Sequence, residues 1–176
     1  STFMQKANLV HDNSNTLVKL QLVHSQQVNY TELDNVNDLY NLTNTNDGYM
    51  DNVHSLRDNY AADLVVFLEV ASYTGGQAWL LGTPDGSPSY GFSLNRVQQA
   101  SRTYTIVHEL GHNMGCGHHY AQNFQAGPGL YTYSSGSRWI GNDNGKYCSV
   151  MTYDSGSYFS DGATHTRVPY FSNPTL

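Results

Sequence analysis

HELGHNMGCGH, residues 108–118, is the stretch on which the reading of this chain turns. Its histidines stand at relative positions one, five and eleven, a glutamate follows the first, and a glycine lies between the second and third. On a helix, residues four apart share a face, so His108 and His112 can offer two imidazoles to one metal ion from successive turns. Glu109 lies about 100° round the helix axis and can flank that ion without ligating it. Zinc takes nitrogen ligands at roughly 2.0–2.1 Å in four-coordinate geometry, so two ligands are too few. Gly115 permits a sharp turn, including positive φ, after which His118 can swing back as the third ligand. The fourth position then stays open for water, which separates catalytic from structural zinc sites.

The flanking sequence supports a helix there. In SRTYTIVHELGHNMG, residues 101–115, Ile106, Val107, Leu110 and Met114 form an apolar stripe. Ser101 or Thr103 can cap its start, and Gly115 can end it. Upstream, STFMQKANLVHDNS carries a loose helical stripe, and TLVKLQLVHS, residues 16–25, alternates like a strand. DGYMDNVHSLRDNY reads as a helix, and ADLVVFLEV, residues 62–70, as a central strand. This strand–helix–strand order predicts a crossover joining parallel strands. QAWLL and YGFSLN, set among Gly and Pro, read as further strands with an edge character. From Tyr120 onward periodicity fades and Gly, Ser, Tyr and Asn dominate, which predicts a smaller, irregular C-terminal lobe.

The chain of 176 residues is long enough for one domain with its own core. Only 12% of residues are charged, about half the usual share, so the surface is built from Asn, Ser, Thr, Gln, Tyr and Gly. The net charge of −6 argues against a nucleic-acid partner, and no basic block suggests membrane anchoring. No run of 18 apolar residues is present. No signal peptide is visible, and Ser1 could begin a processed form. A low-charge chain rich in Asn, Ser and Tyr reads as secreted and extracellular, and in that setting a Cys116–Cys148 disulfide is expected, with two free thiols as the alternative. The Asp/Asn/Gly turns GNDNG and TNTNDG could bind Ca²⁺ but lack a full ligand pattern, so ordinary turns are favoured.

The pattern H-E-x-x-H-x-x-G-x-x-H resembles the zinc signature of the metzincin metalloproteases. CSVMTY, with Met151 33 residues after His118, is similar to the methionine-containing turn of that clan, where Met151 would form a hydrophobic base under the ligands. SVMTY resembles the S-x-M-x-Y turn of the astacin and serralysin branches, which implies that Tyr153 can reach the zinc or the reaction intermediate. Astacins carry Glu and adamalysins Asp after the third histidine, whereas this chain has His119. ADLVVFLEV, YGFSLNR, HELGHNMG, VMTY and VPYFSNP give the widest resemblance, over roughly residues 50–174, to the peptidyl-Asp metalloendopeptidases of the adamalysin-like (reprolysin-like) group. That group tends to place another strand before the first helix, and none is obvious here.

The resemblance implies an α/β (α+β) metzincin-like zincin. Its twisted, mostly parallel sheet would have an antiparallel edge strand, backing helices and an active-site helix, with a small irregular C-terminal lobe. Residues 1–176 would form a single catalytic domain, the upper part running to about residue 117 and the lower from 118 to 176. One Zn²⁺ would be held by His108, His112 and His118, with Glu109 as general base and then acid and Tyr153 as an oxyanion donor. An extended polypeptide would lie along an edge strand near residues 77–81, close to Trp79 and Leu80. Cleavage next to acidic residues would need a cation beyond the scissile bond, in a pocket lined by residues 154–170, and Arg167 is the expected one. A monomer is expected, with a pro-segment or inhibitor in a latent form. The alternatives are an inactive binding module of the same fold, against which Glu109 argues, and a non-peptidase zinc hydrolase.

Overall fold

The computed structural model describes residues 2–173. The chain opens with α1, Thr2–Asn13, whose buried Ala7 and Val10 pack against Val107, Val150, Met151 and Phe171. The end of this helix is tied to the far end of the chain: Phe171 N–H donates to Ser14 Oγ at 2.7 Å, and Asn13 Nδ2 donates to the Pro169 carbonyl at 3.0 Å.

The strand expected over residues 16–25 does not form. Its backbone is served by a side chain instead, since Leu20 N–H donates to Asn8 Oδ1 at 2.8 Å and the Leu20 carbonyl accepts from Asn8 Nδ2 at 3.0 Å. Leu20 packs on the α1 core while Leu17, at φ +60°, is exposed. The alternation is real, but no neighbouring strand completes a ladder.

Two short helices follow, α2 over Asn37–Thr43 and α3 over Asn52–Asn59. The second was expected, and the first was not. Strands β1, Val65–Glu69, β2, Gly76–Ala78, and β3, Phe92–Arg96, form a sheet in the order β1-β3-β2. Strand β3 is parallel to β1, with Phe67 opposite Leu94, and antiparallel to β2, with Gln77 opposite Leu94. This corrects two expectations. The sheet is evenly mixed rather than mostly parallel, and Val65–Glu69 lies at an edge while Phe92–Arg96 takes the centre. Four of the five β3 residues are buried, as a strand covered on both faces must be. One sheet face packs Phe92 and Leu94 against Leu39, Leu42 and Met50. The other meets α4, Thr105–Asn113, where Asn113 Nδ2 donates to the carbonyls of Trp79, Tyr90 and Phe92.

The region after His118 is more ordered than expected. It contains a second sheet, β4-β5-β6, from Arg138–Ile140, Lys146–Cys148 and Thr166–Arg167. GNDNG is the turn of the β4–β5 hairpin, where Asp143 accepts from Gly145 N–H at 2.9 Å and Tyr147 hydroxyl at 2.5 Å. In TNTNDG, Asp47 accepts from Asn44 Nδ2 and Tyr49 N–H. The expected disulfide is also corrected, because Cys116 and Cys148 are free thiols. Cys116 packs toward the α1 core, whereas Cys148 Sγ lies 3.9 Å from the His165 carbonyl.

Candidate active site

Helix α4 begins without a side-chain cap at Tyr104, so neither Ser101 nor Thr103 holds the expected cap position. Thr103 Oγ1 accepts Thr105 N–H at 3.2 Å one step earlier. At the other end Gly115 adopts φ +90°, as the sequence predicts, and Cys116 N–H returns to the Gly111 carbonyl at 2.9 Å. The chain thereby reverses and brings His118 back to the helix.

The three imidazoles converge. Their Nε2 atoms stand 3.0 Å apart for His108 and His118, 3.1 Å for His108 and His112, and 3.2 Å for His112 and His118. Each Nδ1 faces a main-chain carbonyl: Val150 at 2.9 Å from His108, Cys116 at 2.8 Å from His112, and Gln125 at 2.8 Å from His118. A carbonyl can only accept, so each Nδ1 carries the proton and each Nε2 presents a lone pair. Burial keeps the rings neutral, holding His108 well below its ordinary value, taking His112 to about 4 and lowering His118. Three lone pairs aimed at one point, two on buried rings and one on a half-buried ring, suit a cation. Three nitrogens roughly 2.0–2.1 Å from a tetrahedral zinc ion stand about 3.3–3.4 Å apart, close to the observed separations. Among the described residues this is the one group of three such donors within 4.8 Å of one another.

Glu109 is buried beside the trio, and desolvation pushes its carboxyl up to about 8. Strand β2 passes so close that a Cβ on Gly76 would fall 2.7 Å from Glu109 Cγ and Oε1. Below, Met151 is 1% exposed, and a Cβ on Gly111 would overlap its Sδ. The Val150 carbonyl of the same turn orients His108, so the turn both supports and aims the trio. Tyr153 puts its ring centroid 4.7 Å from that of His118, and its hydroxyl is pushed up by burial and by the charge of Glu109. His119 turns away, buried against Phe159.

A cleft of about 200 Å³ runs over these groups. It is lined by Gly76, Gln77, Ala78 and Trp79, by Gln125 and Tyr153, and by Val36, Leu39 and Tyr40. The last three went unread in the sequence because α2 did; its one signal is Asp38 in the first turn of NDLYNLT. Trp79 lines the cleft and also packs into the core, with Nε1 donating to Thr43 Oγ1 at 2.7 Å. Leu80 is exposed beyond β2 and does not line the cleft. Arg167 is not a free surface arm: its side chain is 20% exposed, donates to the Thr152 carbonyl at 3.0 Å and stands 3.7 Å from Asp154. It sits behind the Met151 turn, outside the cleft lining.

An edge strand laid over a helix that carries two of three convergent histidines and a buried glutamate is the architecture of a zincin-type metal centre. The family model of Metallo-peptidase family M12 matches residues 1–172, and the chain belongs to that family. It is 32% identical over 97% of its length to a peptidyl-Asp metalloendopeptidase of Stenotrophomonas maltophilia (strain R551-3), covering 39% of that protein. The corresponding protein of Xanthomonas campestris is 32% identical, with 97% of this chain and 38% of that protein covered. That of Pseudomonas aeruginosa is 26% identical, with 100% and 31% covered. The chain therefore spans about two-fifths or less of the length of these relatives. The likeness extends further toward the N-terminus than the motifs suggest, since those begin near residue 50. A solved chain from a chaperone–substrate complex shares the fold, with a TM-score of 0.63 at 20% identity over 99% of this chain and 25% of that one.

Proposed function

We propose that this chain is the catalytic domain of a zinc-dependent endopeptidase. The observation that carries the reading is the convergence of three neutral Nε2 atoms beside a buried carboxylate. His108, His112 and His118 would hold the ion. When bound, zinc supplies a Lewis acid that brings water to a reactive state near neutral pH. Glu109 takes the proton from the attacking water and passes it to the leaving amine, a role suited to a carboxylate whose site raises its proton affinity. Tyr153 donates its hydroxyl to the oxyanion that develops on the substrate carbonyl. The free edge of β2 binds the extended peptide by main-chain hydrogen bonds.

The names of the relatives support a preference for bonds next to aspartate. Arg167 is the cation proposed for that preference; it stands behind the Met151 turn, on the Thr152 carbonyl and beside Asp154. The low-charge surface supports secretion. Digestion of a peptide mixture by the zinc-loaded protein tests the reading. Glu109→Gln should lower kcat by roughly 10²–10⁴ while zinc content stays at one per chain. Cleavage that survives both this substitution and a zinc chelator would overturn it.

A further inference from the structure

We propose that α2 builds an apolar subsite of the cleft, in which Val36 and Tyr40 receive a bulky apolar side chain of the bound peptide and exclude an acidic one. The inference rests on the proposed use of β2 as the peptide-binding edge. Side chains alternate along a strand. Gly76 faces Glu109, as its Cβ position shows, and Ala78 shares that face. Gln77 and Trp79 point to the other side, where Trp79 meets Tyr40 with ring centroids 5.1 Å apart. A peptide added to the free edge of β2 continues the same pleat, so every second side chain emerges on the Trp79 side. There it meets α2.

The face it meets is built to be apolar and held in place. Val36 stands immediately before α2 with helical backbone (φ −56°, ψ −23°), four residues from Tyr40, so the two share a face. They are 45% and 47% exposed, while Leu39 beside them is buried, and all three line the cleft with the histidines and Glu109. Two anchors hold the wall. Trp79 Nε1 donates to Thr43 Oγ1, and buried Asp38 accepts from Tyr30 hydroxyl, Leu33 N–H and Asn35 N–H. An acidic side chain finds no counter-charge there: no Lys or Arg lines the cleft, and Asp38 lies within α2. Arg167, proposed to select acids, stands outside this lining on the Thr152 carbonyl, apart from the α2 wall.

Cleavage-site profiling of a randomised peptide library, with zinc-loaded wild type and variants of matched melting temperature, tests this. Wild type should favour Leu, Phe or Met and disfavour Asp and Glu at one position set back from the scissile bond. Tyr40→Ala should flatten that preference about tenfold, the scale of a lost apolar contact, and Tyr40→Phe should retain it. Val36→Lys should admit Asp and Glu at that position. Wild type that cleaves with a profile unchanged by Tyr40→Ala and Val36→Lys would overturn the subsite alone. Wild type that cleaves nothing would overturn the subsite together with the peptidase reading.

Discussion

The histidine centre and the carboxylate group at the end of β1 are both buried and polar, yet they handle desolvation in opposite ways. At the centre every Nδ1 donor has a main-chain acceptor, and only the three Nε2 lone pairs are left over. At the end of β1, Asp38 is fully provided with donors, whereas Glu69 is 1% exposed and neither of its oxygens has a hydrogen-bond partner. Burial, then the charges of Asp38, Glu32 and Asp34, push the Glu69 carboxyl up to about 7. A furnished cluster with converging acceptors is organised for a cation. An unfurnished carboxylate beside like charges binds its proton more tightly instead.

The sharpest way to break this comparison is to supply the cation. Zinc added to the metal-free protein should stabilise it by about 4 kcal/mol at a thousandfold excess over Kd, and His118→Ala should lose most of that gain. A melting temperature indifferent to zinc in wild type would mean that the trio is not a metal centre.

The carboxylate side is probed by pH. A carboxyl whose folded value exceeds its unfolded one of 4.5 carries no penalty below pH 4.5. Its penalty grows as pH rises toward 7 and is complete above it. Glu69→Gln cannot ionise, so relative to wild type it should gain up to about 3 kcal/mol between pH 4.5 and 8. Urea unfolding at several pH values measures this, and parallel pH profiles for the two proteins would remove Glu69 from the role.

The smallest effect concerns the support beneath the histidines. Gly111→Ala should cost about 1–2 kcal/mol, because overpacking against Met151 and Phe171 outweighs the helix propensity of alanine. Equilibrium unfolding checks it, and a stabilised variant would show that the Met151 contact is slack.

The legible parts of the molecule are local ones. Helix α1 and strands β2 and β3 follow from periodicity within a few residues, as does α4 with its reversal at Gly115. The strand expected over residues 16–25 was misread because alternation reports a half-buried segment, not the presence of a partner, and here Asn8 supplies the pairing. Val65–Glu69 reads as central because its composition matches a buried strand, while rank in the sheet depends on what lies alongside. Nothing local marks Val36, Leu39 and Tyr40 as cleft residues, since α2 has only seven residues, about two turns of pattern.

The eleven residues from His108 to His118 determined by themselves which groups would meet a metal ion, because helix pitch and one left-handed glycine are short-range geometry. Tertiary structure alone decided how those groups are held and what surrounds them: the Val150 and Gln125 carbonyls, the Met151 floor, the α2 wall, the orphaned Glu69 and the free cysteines. Each of these depends on segments far apart in sequence sharing one dry interior, and burial is a property of the assembled chain.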